Sequence, residues 1–204
     1  MPRVDDYINA RRIAAEALRR VPAQALSTAS GWPLTDRQTL SGSFLDQRFE
    51  IRLPDFNFEA VPEPCEIPIQ QQVLALHYLQ GCQGAAATAG DWVAYREIPG
   101  AGFYFSAFVK RALDPLKKVF GENPSAIEGP ARLLGATRLD AGDVSYRFDV
   151  FPRVPLQVIL WCGDDEFPSE AAILFDAGIA GMLSPEDIAW TAGLLVYRLI
   201  ALSG

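Results

Sequence analysis

The chain has 204 residues, of which 50% are hydrophobic and 21% charged. A chain of this length buries about 70% of the surface that its unfolded form exposes, so we expect a single globular domain, 1–204. The 25 acidic and 18 basic residues give a net charge of −7. Because affinity for nucleic acid depends on Lys and Arg that neutralise phosphates, nucleic acid is not an expected partner.

The N-terminal residues alternate charged and small side chains, and no long uncharged apolar run follows. This pattern predicts neither a signal segment nor a membrane span, so we expect a cytoplasmic protein with no membrane partner. Cys65, Cys82 and Cys162 are too irregularly spaced for a disulfide framework or a Cys-x-x-Cys metal knuckle, so we expect three reduced thiols. The residues specify neither a cofactor nor an oligomeric state.

Apolar spacing predicts an N-terminal helix over residues 4–20, which fills most of a first segment, 1–22. A proline-rich lead-in over 23–68 follows, in which only 44–53 alternates as a half-exposed antiparallel strand. Residues 54–68 carry too many prolines for a central strand, so we expect them to lie extended over the surface. The rest of the chain, 69–204, is the third predicted segment.

Helical spacing returns at residues 69–79, with Gly81 placed as a C-terminal cap. This helix carries the only histidine, His77. A lone histidine on an apolar helix face is more often a hydrogen-bonded core residue than a ligand or proton-transfer group. Both interpretations of His77 remain open at this stage.

Residues 91–98 alternate and predict a strand, and 103–113 predict a helix that Asp114-Pro115 restarts into 116–120. A short helix is expected over 124–134. The densest apolar region then gives three strands, 144–151, 156–161 and 171–175, whose short connections favour an antiparallel meander. Ser184-Pro185 begins a buried helix that reaches about Leu202. The sequence therefore predicts an α+β domain, a mainly antiparallel sheet with helices packed against it.

Three consecutive acidic residues, Asp164, Asp165 and Glu166, lie between the second and third of these strands with no basic residue beside them. Asp176, Glu97 and His77 are the other residues that could complete a site with this acidic turn. No Gly-x-Ser-x-Gly elbow or comparable nucleophile is present, so the residues leave open whether the protein is an enzyme.

Four segments carry a resemblance to a known family: LALHYLQG at 74–81, DWVAYREIPG at 91–100, PRVPLQVILWCGDDEFPSEAAILFD at 152–176, and SPEDIA at 184–189. Together they resemble the uncharacterised family called domain of unknown function 3786, and the resemblance implies that 69–204 is the family core. The resemblance implies a setting in anaerobic bacteria and archaea, near iron–sulfur or corrinoid proteins of one-carbon or redox metabolism. Some members carry a four-cysteine iron–sulfur module, which this chain lacks.

Three interpretations of the acidic turn follow. In the first, the chain is a binding or accessory domain that docks on an iron–sulfur or corrinoid protein through exposed carboxylates, because complementary charge speeds and orients encounter. In the second, these carboxylates hold a divalent cation such as magnesium, calcium or manganese in a small metal-dependent enzyme, with at most two of the three ligating directly. In the third, the turn only solvates a junction between two buried strands.

Overall fold

A computed structural model describes residues 4–84 and 89–204. The fold class is α+β, as the sequence predicts, with antiparallel sheets of three and five strands among the described residues. The chain folds into two compact units. Unit 1 comprises Met1–Ala87, Phe151–Arg153 and Gly181–Leu183, and unit 2 comprises Thr88–Val150, Val154–Ala180 and Ser184–Gly204. The single domain 1–204 and its three predicted segments stay predictions.

The described part of unit 1 contains three helices and the three-stranded sheet. The helices are α1 (Val4–Leu18), α2 (Ala23–Ser30) and α3 (Ile69–Gly81), and the strands, in sheet order, are β1 (Thr39–Phe44), β2 (Gln47–Arg52) and β3 (Asn57–Val61). Helix α1 packs against α3. The first predicted helix is thus confirmed, and the predicted strand over 44–53 is β2 with the hairpin turn that precedes it.

The core of unit 1 is an aromatic cluster. Trp32 lies edge-on to Phe49 with ring centroids 5.6 Å apart, and Tyr78 stacks on Phe151 at 4.5 Å. The Tyr78 hydroxyl donates to the carbonyl oxygen of Ser30, which anchors α3 to the end of α2. Burial raises the pKa of Tyr78 above its ordinary value.

Gly81 does not cap α3 as predicted. It belongs to the helix, whose last turn continues into Cys82 with right-handed backbone angles. A Cβ at Gly81 would overlap the carbonyl group of Met182. Glycine is therefore required here because a neighbouring backbone approaches closely, and not because the chain needs a left-handed residue. The segment between this helix and the strand expected over 91–98 includes residues 85–88, which lie outside the described residues.

Unit 2 contains the five-stranded sheet, in the order β4-β8-β7-β6-β5. The strands are β4 (Trp92–Ala94), β5 (Thr137–Leu139), β6 (Val144–Phe151), β7 (Val154–Trp161) and β8 (Glu170–Asp176). Phe151, the last residue of β6, belongs to unit 1. The predicted meander is confirmed, since β6, β7 and β8 are neighbours in sequence and in the sheet. The predicted strand over 91–98 is shorter than expected because Tyr95–Glu97 forms a 3-10 turn.

The helices of unit 2 pack around its C-terminal helix. The C-terminal helix is α7 (Pro185–Leu202), and the helices around it are α4 (Phe105–Phe108), α5 (Asp114–Phe120) and α6 (Glu128–Leu133). The π-helical segment Val109–Leu113 joins α4 to α5. Helix α7 contacts all of them. The Ser184 hydroxyl accepts from the backbone N–H of Asp187 at 3.2 Å, which confirms the predicted cap. No described helix combines the length and apolar character needed to cross a membrane.

Candidate functional site

The acidic turn connects β7 to β8 on the surface of unit 2. Asp164 organises it: the carboxylate oxygen Oδ1 accepts from the backbone N–H of Phe167 at 2.7 Å and of Glu166 at 2.8 Å. The backbone N–H of Asp164 in turn donates to the carbonyl oxygen of Phe167 at 2.8 Å. These two N–H donors, Phe167 before Glu166, hold the pKa of Asp164 below its ordinary value. Asp164 therefore fixes the shape of the turn as well as carrying charge.

The base of the turn is also closely held. The backbone N–H of Cys162 donates to Asp143 Oδ2 at 2.6 Å. A Cβ at Gly163 would lie 2.6 Å from the backbone nitrogen of Ser169, so the two arms of the turn approach as closely as a glycine allows. Hydrogen bonds and close packing within unit 2 thus hold both the tip and the base of the turn.

Two large aromatic side chains are exposed beside the carboxylates. Trp161, the last residue of β7, is 39% exposed, and Phe167, inside the turn, is 67% exposed. Glu170 faces Trp161 across the β7–β8 pair. The sequence predictions missed these two exposed aromatic side chains, because the region stands out in the sequence for its charge. The available signal was a phenylalanine inside a polar turn, where a side chain has no strand or helix face to bury it.

We call this patch the acidic surface, defined by Trp161, Asp164, Asp165, Glu166, Phe167 and Glu170. Residues 154–197 contain no Lys, Arg or His. The carboxylates of the turn and Glu170 are exposed, and none of them forms an ion pair within the described residues. The acidic surface thus combines uncompensated negative charge with exposed apolar area.

Asp176 is not part of the acidic surface. It ends β8 and is 2% exposed. Its Oδ1 accepts from the backbone N–H groups of Ala89 and Gly178, and its Oδ2 accepts from that of Gly90, all at 2.8 Å. Both carboxylate oxygens are therefore occupied by backbone donors, and Asp176 ties the segment before β4 to the end of β8.

Glu97 and His77 have local surroundings of their own. Glu97 Oε2 accepts from the backbone N–H of Ala94 at 2.6 Å and so closes the 3-10 turn after β4. His77 lies half-buried on α3 in unit 1, where it already has an interaction partner. The structure gives Asp164, Asp176 and Glu97 separate backbone-capping roles and does not gather them into one cluster within unit 2.

The three cysteines were expected to be reduced, and each described cysteine is a free thiol. Cys65 and Cys162 are exposed, and Cys82 is buried. Burial raises the pKa of the Cys82 thiol. Over residues 4–84 and 89–204, no group of three or more His, Cys, Asp or Glu side chains is arranged to hold a metal ion.

The fold and this surface define a class of protein: a small α+β protein with a preorganised acidic and aromatic surface. A family model described as "Domain of unknown function (DUF3786)" matches residues 23–198, and the chain belongs to this family. The match begins at the start of α2, so it includes the proline-rich lead-in. No curated protein and no solved structure matches the chain.

Proposed function

We propose that this protein is an accessory binding domain that docks on a positively charged surface of a partner protein through its acidic surface. The observation that carries the proposal is the exposure of Trp161 and Phe167 beside three carboxylates on a turn of fixed conformation. Burying an aromatic side chain of this kind stabilises a complex by about 1.5–3 kcal/mol, whereas the carboxylates mainly speed and orient encounter. A turn held by Asp164 loses little conformational entropy on binding.

The class of partner follows from the family resemblance. Members that carry a four-cysteine module suggest an iron–sulfur or corrinoid protein acting in anaerobic redox or one-carbon metabolism. The cofactor in this proposal belongs to the partner, because the described cysteines of this chain are not arranged as cluster ligands.

The alternative is a divalent-cation site in a small metal-dependent enzyme. It has less support, because Asp164 Oδ1 already accepts two backbone hydrogen bonds. Asp165 and Glu166 are consecutive residues, which seldom face one ion together. Asp176 and Glu97 are engaged by backbone N–H groups elsewhere in unit 2.

Affinity capture from the native cells, prepared without oxygen, tests the proposal with two variants. The charge variant is Asp164→Asn, Asp165→Asn, Glu166→Gln, in which the amide oxygen of the new asparagine at position 164 can still accept the two backbone hydrogen bonds. The aromatic variant is Phe167→Ala, which removes apolar area without changing charge. We expect a partner that wild type retains at low salt and releases at high salt, and that each variant binds about tenfold more weakly.

A matched control changes the same number of charges in unit 1. Asp5→Asn, Glu63→Gln, Glu66→Gln removes three exposed carboxylates outside the acidic surface and should retain the partner as wild type does. Equal capture by wild type and both variants would refute docking through this surface. Native mass spectrometry of the same samples reports a cation, and a stoichiometric metal adduct lost only from the charge variant would favour the alternative.

A further inference from the structure

A second candidate site lies in unit 1, at the outer edge of β1. A pocket of about 440 Å³ opens there, and its lining includes Trp32, Pro33, Ser43, Leu45, Arg48 and Pro152. It has an apolar wall of tryptophan, proline and leucine beside strand backbone, with one basic side chain, Arg48, and one acidic side chain, Asp46. This combination resembles the general make-up of ligand sites, which are mostly apolar with a few placed polar groups.

The edge of β1 is covered along only part of its length. The backbone N–H of Ser41 donates to Pro33, and that of Thr35 donates to Thr39, both at 2.9 Å. These bonds show that odd-numbered residues of β1 direct their backbone groups away from β2. Ser43 is the next odd-numbered residue, and its N–H and C=O have no partner within the described residues. An unpaired strand edge of this kind can pair with another chain.

Trp32 lines the pocket and carries a buried indole N–H donor. It is 2% exposed, and its indole Nε1–H has no hydrogen-bond acceptor within the described residues. A buried donor left without a partner destabilises the fold, so an acceptor supplied by a ligand would stabilise the complex. The indole ring itself is fixed by contacts with Phe49 and Tyr78.

Arg48 supplies the charge. It lies directly across from Ser43 in the β1–β2 register and is exposed. Its guanidinium forms no ion pair or hydrogen bond with the described residues. Asp46, at the hairpin turn, is already engaged in an interaction of its own. A carboxylate is the group that a free guanidinium binds best, through paired N–H donors.

We propose that this pocket binds the C-terminal end of an extended peptide chain from another protein. A peptide that adds antiparallel to β1 runs in the same direction as residues 33–35, so its C-terminus stops where Pro33 already occupies the edge. Its backbone pairs with Ser43, its terminal carboxylate pairs with Arg48, and a carbonyl group accepts from Trp32 Nε1–H. The short free edge favours a chain end over a through-going strand. This site is separate from the acidic surface and does not depend on the function proposed for it.

A pair of tetrapeptides tests the inference. The probe is acetyl-Thr-Val-Thr-Val with a free carboxylate, and its control is the same peptide with an amidated C-terminus. Nuclear magnetic resonance of the 15N-labelled protein follows the Trp32 indole N–H, assigned with Trp32→Phe, and the Ser43 amide. We expect the free acid to shift both signals saturably and the amide to bind at least about tenfold more weakly.

Arg48→Ala should weaken the free acid by a similar factor. Arg52→Ala is the matched control, since Arg52 lies on the same face of β2 but pairs with Glu59, and it should bind like wild type. The inference fails if millimolar peptide leaves both signals unshifted, or if acid and amide bind equally. It also fails if sodium acetate shifts the same signals with the affinity of the peptide, because the site would then recognise a small carboxylate and not a chain end.

Discussion

Replacing Asp176 tests whether this buried carboxylate serves the fold or a ligand. Asp176→Ala leaves the backbone N–H groups of Ala89, Gly90 and Gly178 without their acceptor. A hydrogen bond to a charged group contributes about 1.5–3 kcal/mol. The total loss is expected to be smaller than the sum of three such bonds, because two of them share one oxygen and water reaches part of the opened segment. We therefore expect the free energy of unfolding to fall by about 4 kcal/mol, which lowers Tm by roughly 8–16 °C.

Asp176→Asn separates the contributions of the two carboxylate oxygens. The amide oxygen still accepts from Ala89 and Gly178, while its NH2 group faces the N–H of Gly90, so we expect about half of the loss. Urea unfolding measures the free energies, and amide hydrogen exchange should show lost protection at Ala89, Gly90 and Gly178. Asp165→Ala, an exposed change, should stay within about 0.5 kcal/mol of wild type. A loss below about 1 kcal/mol for Asp176→Ala would refute the structural role and reopen Asp176 as a ligand.

Two further predictions concern packing and burial. Gly81→Ala places a methyl group on the carbonyl of Met182. We expect urea unfolding to show that the free energy of unfolding falls by about 2–4 kcal/mol. Gly84→Ala, with open space around it, should be nearly neutral, and equal effects of the two substitutions would contradict the packing argument. Burial raises the pKa of Tyr95 to about 12 from its ordinary value of 10.0. The unfolded chain then ionises first, so the free energy of unfolding should fall as pH rises from about 10 to about 12. In urea titrations, Tyr95→Phe should reduce this dependence of the free energy of unfolding on pH. An unchanged pH dependence in the variant would contradict the prediction.

The sequence predicts the central strands of unit 2 well because their signals are strong and local. The apolar residues of β6 and β7 continue for a whole strand length, and the short turns between them leave antiparallel pairing as the simple solution. The start of α7 is equally well marked, since Ser184 and Pro185 supply a side-chain acceptor and a fixed φ at the positions where a helix needs them.

The lead-in of unit 1 is harder to predict because its prolines obscure regular structure. Strand β3 lies inside the stretch expected to lie extended over the surface and not to form a central strand. It is an edge strand of its sheet, and its five residues fit between Pro54 and Pro62 without using either. Helix α2 also went unpredicted. Its boundaries are marked only by Pro22 before it and Gly31 after it, in the left-handed conformation. A helix of eight residues offers too few turns for apolar periodicity to show.

The candidate site is predictable in position but not in role. The acidic turn lies on the surface, as its density of charged residues predicts. Sequence spacing cannot show, however, that the Asp164 carboxylate accepts hydrogen bonds from the backbone of the same turn. The convergence of Ala89, Gly90 and Gly178 on Asp176 is likewise a tertiary effect between distant segments. The exposure of Trp161 and Phe167 at the turn is also a result of the folded geometry, because nothing in their spacing marks them as exposed.

The division of the sequence between the two units limits how the protein can be cut. Unit 1 takes most of its residues from the first part of the chain but also needs Phe151, whose ring stacks on Tyr78, and Met182, which lies against Gly81. A fragment that ends at residue 87 lacks both, so its aromatic core would expose the face of Tyr78. No single truncation yields either unit complete, and separate expression of the halves is expected to give soluble material only when both are produced together.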